Sequence, residues 1–100
     1  MEVELALDID QYEEYELLAT KGWNDYAYKR AYLPVVFPGL RLCIQFINKK
    51  GEEKEVGFVV IDATYSFRCR ILEVYIKLED PYFLCELVTE KNGWSGESVF

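Results

Sequence analysis

The chain has no histidine and only three cysteines, Cys43, Cys69 and Cys85, spaced far apart and without a CxxC pair. A structural zinc site is thereby excluded on donor chemistry, since zinc fingers and ribbons need paired Cys or His ligands at short spacing. An odd number of thiols, each inside an apolar run, reads instead as reduced core cysteine behaving as a small hydrophobe. Without histidine there is no His-based nucleophilic triad, and Ser66, Ser95 and Ser98 stand outside any GxSxG pattern. No glycine-rich phosphate loop occurs. Apolar runs are short, Phe58 to Ile61 being typical, against the roughly 20 residues a membrane helix needs. The opening "MEVELALDID" is acidic where a secretory leader would be basic. These absences lead to the expectation of a cytoplasmic protein with no cofactor, no metal and no membrane partner.

Six glycines and three prolines among 100 residues, with 51% hydrophobic and 16% aromatic content, are too few breakers and too much apolar surface for disorder. The length suits one domain, 1–100, with 91–100 as a possible loose tail. Positive charge is missing from the first fifth of the chain. Residues 1–20 carry seven acidic side chains and no Lys or Arg, while residues 21–100 carry eleven of each sign, so the whole net charge of −7 belongs to the N-terminal segment. Such a surface repels phosphate backbones, which disfavours nucleic acid, and steers basic partners toward it.

The periodicities predict mostly strands. Glu2–Asp8 alternates Val3, Leu5 and Leu7 against Glu2, Glu4 and Ala6, one wet face and one dry. Asp10 with Glu13 fits a capping box for a short helix over Gln11–Lys21, closed by Gly22. A strand follows from Trp23 through Tyr32, "PVVFPG" crosses in extended form, and Leu40 to Phe46 pairs with Val56 to Val60 across "NKKGEEK". Asp62-Ala63 reads as a turn, a bulge is expected near Ile71-Leu72 where the apolar phase shifts, and Tyr82–Thr89 reads as a last strand. The fold class expected is α+β, mostly β: an antiparallel meander forming a strongly curled sheet or small barrel with one short N-terminal helix.

The stretch "WNDYAYKRAY" is the strongest functional hint. Trp23, Tyr26, Tyr28 and Tyr32 surround Arg30, and rings interleaved with cations could stack bases, but one Lys-Arg pair beside a −7 segment does not make a nucleic-acid groove. Core packing and a partner-binding surface fit better. Asp8 and Asp10 resemble a metal dyad only in spacing, and a strand end followed by a helix cap explains them.

The expected function is a non-catalytic interaction module. Its binding residues would be Glu13, Glu14 and Glu16 with Trp23, Tyr26, Tyr28, Arg30 and Tyr32, and its partner a protein with a basic or apolar surface, or a second copy as a homodimer. The alternative is a pocket for a small apolar or aromatic ligand at the sheet mouth, lined by the same rings. A third reading, a carboxylate-dependent enzyme, would rest on Glu73 or Asp62.

Overall fold

A computed structural model describes residues 1–98. Five strands, β1 (Glu2–Asp8), β2 (Tyr26–Tyr32), β3 (Arg41–Ile47), β4 (Glu53–Ser66) and β5 (Ile71–Leu78), form one sheet in the order β2-β1-β5-β4-β3. The sheet curls into a half-barrel. Mostly β content and the curl agree with the sequence, whereas a purely antiparallel meander does not. After β2 the chain crosses through residues 33–40 to the opposite edge, runs β3, β4 and β5 as an antiparallel meander, and lays β5 parallel to β1, Val3 beside Leu72 and Leu7 beside Ile76.

An interior position for β1, between β2 and β5, accords with its burial. Val3, Glu4, Leu5, Ala6 and Leu7 are all buried, so the expected wet face of β1 is covered, and Glu4 is only 2% exposed. A strand with neighbours on both edges and cover on both faces is shielded regardless of its alternation.

Helical structure is mainly C-terminal, not N-terminal as expected. Helix α1 spans only Tyr15–Thr20, while a 3-10 turn at Pro81–Phe83, helix α2 (Leu84–Leu87) and a second 3-10 turn at Glu90–Asn92 replace the strand expected over Tyr82–Thr89. Pro81 in the first turn and the Asp80 carboxylate accepting from the Tyr82 amide at 3.2 Å start that helical run. Leu84, Leu87 and Val88, at helical spacing, then bury fully.

The first helix is short because its intended N-terminal turn is committed elsewhere. The Tyr12 hydroxyl accepts from the Leu78 amide at 2.9 Å, and Glu14 accepts from the Cys85 amide at 3.1 Å. Asp10 does not cap; its own amide donates to Asp8. The C-terminus behaves as the sequence suggests. Gly22 sits at φ 95° and donates to Ala19, while Trp23 donates to Leu18, the two bonds of a Schellman closure.

Strand β4 runs straight through Asp62-Ala63, so no turn forms there. The bulge lies at Ile61 in β4, between Val60 and Asp62, rather than at Ile71-Leu72; the phase change near residue 70 instead marks a tight hairpin loop, Phe67–Arg70. The β3–β4 turn is organised by Asn48, whose Oδ1 accepts from the amides of Lys50 and Glu52, with Gly51 at φ 79°.

Inside the curl, Leu5, Leu7, Phe58, Val74, Ile76 and Trp94 are buried with residues of α1 and α2. Trp94 lies within the segment expected as a tail, of which Val99 and Phe100 fall outside the described residues. Only Cys85 is a buried thiol; Cys69 is half-buried and Cys43 is exposed on the outer side of edge strand β3, correcting the reading of all three as core. Burial is the first cause raising the Cys85 thiol pKa.

Candidate functional site

The outer face of the sheet is built from cross-strand rows. Pairing places Tyr28 beside Ala6 and Ala6 beside Tyr75, so a small residue on β1 is flanked by rings from β2 and β5. One row over, Tyr26 lies opposite Asp8; on the other side Arg30, Glu4 and Glu73 align, and beyond them Tyr32 meets Glu2. Tyr26 and Tyr28 stack with centroids 6.1 Å apart and planes 19° from parallel. Arg30 is ion-paired to Glu2.

Trp23 does not share this face. It packs against the core at the end of α1, beside Gly96. The expected aromatic cluster is therefore divided, and no one cavity is lined by Trp23 together with the three tyrosines and Arg30. Tyr26 enters one cleft, Tyr28 and Arg30 line another beside Ser95, and Tyr32 is 78% exposed. The glutamates divide as well. Glu14 is tied to the Cys85 amide, whereas Glu13 and Glu16 are exposed.

Tyr75 and the burial of Glu4 beside Glu73 escaped the sequence reading, in which Glu73 and Asp62 figured only as carboxylates for an enzyme. The Ser98 hydroxyl donates to Glu4 at 2.6 Å and lies 3.5 Å from Glu73. Tyr75 donates to Glu73, and that bond, ahead of burial and the nearby carboxylate charge, pushes the phenol pKa up to about 12 from 10. Burial, then the charges of Glu73 and Glu4, also raises Tyr28. The signal for this arrangement was Ala6 within a strand of larger residues, but its meaning required knowing that β1 and β5 are neighbours.

The Tyr75 bond carries a pH dependence. A phenol with a raised folded-state pKa favours the protonated form in the native state, so its contribution is complete below pH 10 and is lost as pH rises through about 12. Tyr75→Phe is therefore expected to flatten the fall in urea midpoint over that window. An unchanged slope would show that Tyr75 does not couple to folding.

Two clefts meet at the end of this face where β1 finishes. One, of 330 Å³, is lined by Ala6, Asp8, Gln11, Tyr26, Ile61, Asp62, Tyr75 and Ile76. The other, of 410 Å³, is lined by Gln11, Tyr12, Glu13, Glu14, Pro81 and Tyr82. Gln11 lines both, so the two clefts adjoin, and together they make up the groove. Rings and carboxylates line it, and among the described lining residues there is no Lys or Arg.

Asp8 on β1 and Asp62 on β4 flank β5, which sets their backbones about 10 Å apart. Among the described residues no three His, Cys, Asp or Glu side chains converge as a metal site, and no helix is long and apolar enough to cross a membrane. Comparison with protein-family models, with curated proteins and with solved structures returned no match.

Proposed function

We propose that the protein is a non-catalytic binding module whose groove, from Tyr26 and Tyr75 past Gln11 to Glu13 and Tyr82, holds a basic polypeptide segment. The observation that carries this reading is the lining: aromatic rings and carboxylates with no cation among them. A Lys or Arg side chain lies favourably over a ring face and pairs with a carboxylate at its rim, and an apolar side chain fills the space between rings. The excess of negative charge in residues 1–20 adds long-range steering toward the same end of the molecule. Of those seven acids, Glu4 is buried, Glu2 is paired and Glu14 is tied to the Cys85 amide, which leaves Asp8, Asp10, Glu13 and Glu16 as the acting set.

The test is calorimetric titration with a short Arg-rich peptide and a Glu-rich control. Binding is expected for the first alone, weakening as salt shortens the screening length below about 10 Å. Glu13→Lys with Asp62→Lys, both exposed positions, should reduce the affinity by roughly tenfold or more. Equal affinity in wild type and variant would remove the groove from the explanation.

A further inference from the structure

The β4–β5 loop, Phe67–Arg70, is the chemical complement of this groove. Phe67 is 88% exposed and Arg68 and Arg70 are exposed, and neither arginine forms an ion pair among the described residues. The loop is held in one shape. Its Arg70 amide donates to the Ser66 carbonyl at 2.7 Å and its Cys69 amide to the Ser66 hydroxyl at 3.0 Å. Arg70 takes φ 56°, the one non-glycine residue at positive φ among the described residues, and Tyr65 braces Phe67 edge-on at 5.1 Å. A preformed loop loses little freedom on docking.

Within one molecule the two features cannot meet. The loop joins Ser66 to Ile71 beside the start of β1, whereas Asp8 and Tyr26 lie beyond Ile76, where β1 ends. Some six residues of extended β5 separate them, about 20 Å. The complement must therefore be satisfied between molecules.

Building on the groove reading above, we propose that the basic segment it accepts is the Phe67–Arg70 loop of a second copy of this chain, giving head-to-tail association. Phe67 enters the 330 Å³ cleft between Tyr26 and Tyr75, a volume suited to one aromatic side chain, and the arginines meet Asp8 and Asp62 on its rim. In the head-to-tail arrangement one copy contributes its loop and the next its groove, so the contact does not close on itself in a pair. Each pair leaves one loop and one groove free, so the assembly grows with concentration beyond a dimer.

Sedimentation velocity under reducing conditions, which prevent cross-linking through exposed Cys43, tests this. The loop variant is Phe67→Ser/Arg68→Glu and the groove variant Glu13→Lys/Asp62→Lys, all at exposed positions, with urea midpoints checked against wild type. Wild type is expected to form a concentration-dependent series. Each variant alone should stay monomeric, its association weakened by roughly tenfold or more. An equimolar mixture should stop at dimers, since it retains one intact loop and one intact groove per pair. A synthetic peptide of residues 65–70 should dissociate the wild-type series.

Association that persists in either variant alone overturns the proposal. A wild type that remains monomeric while the Arg-rich peptide still binds overturns self-recognition and leaves the groove reading standing. Loss of both overturns both.

Discussion

Replacing Trp94 with alanine is expected to destabilise the protein by about 4 kcal/mol, from the usual cost of truncating a buried large aromatic residue. That is a large share of the 5–15 kcal/mol typical of a whole domain. Trp94 is 2% exposed, and its ring centre lies 6.3 Å from that of Phe58. It is placed by Gly93 at φ 88°, where an added Cβ would fall 2.5 Å from Lys29 Nζ, and by its own amide donating to the Thr89 carbonyl. Immediately beyond it, Ser95 exchanges two backbone bonds with Tyr28, both at 2.8 Å. Losing the anchor therefore loosens the segment along the edge of β2.

Trp94→Phe separates ring burial from polar contacts. No acceptor reaches Trp94 Nε1 among the described residues, so phenylalanine removes an unsatisfied buried donor while leaving a smaller cavity than alanine. A loss of only about 1–2 kcal/mol is expected for it. Urea unfolding followed by circular dichroism measures both variants. An alanine variant within about 1 kcal/mol of wild type would mean that the C-terminal segment is not part of the folding unit.

The second large effect is expected at Asn92, which joins the two edges of the half-barrel. Its Oδ1 accepts from the Ile47 amide at 2.8 Å, and its Nδ2 donates to the Ile47 carbonyl at 3.1 Å and to the Glu86 carbonyl at 2.9 Å. From the other edge, Lys29 on β2 donates to the Asn92 carbonyl at 2.8 Å. The side-chain amide thus pairs with β3 as a neighbouring strand would. Asn92→Ala removes three hydrogen bonds and strands a partly buried carbonyl, for an expected cost of about 2–3 kcal/mol.

Hydrogen exchange gives the local readout. The Ile47 amide should lose protection in Asn92→Ala well beyond the global change, while amides of β1 follow global stability alone. Asn92→Asp keeps the acceptor for Ile47 but not the donors, and should fall between wild type and alanine. Protection at Ile47 unchanged in the alanine variant would show that β3 is held by its pairing with β4 alone.

Local chemistry was legible wherever one segment decides its own shape. The β1 limits, the end of β2 at Tyr32, the Schellman closure at Gly22, the positive-φ Gly51 and the pairing of Leu42 and Ile44 with Phe58 and Val56 all follow from alternation and turn residues, whereas β2 starts at Tyr26 and not at Trp23. Tyr82–Thr89 was misread because a segment apolar on every side fits both periods, and only the Asp80-Pro81 start distinguishes them. The buried state of Glu4 was hidden for a different reason: an alternating strand states that its two faces differ, not whether the polar one will be covered.

By itself the sequence determined a small, mostly β chain, an N-terminal segment carrying the whole negative excess, and a tyrosine-rich β2, because composition and period-two patterning are properties of single segments. Tertiary structure alone decided that β5 lies parallel to β1, bringing Tyr75 beside Ala6 and Glu73 beside Glu4. It also moved Trp23 away from the tyrosines, and put the acidic aromatic groove and the Phe67–Arg70 loop at opposite ends of the sheet. The physical reason is that hydrogen-bonding strand edges are chemically alike: which edge a strand chooses is settled by the packing of the whole core, not by its own residues.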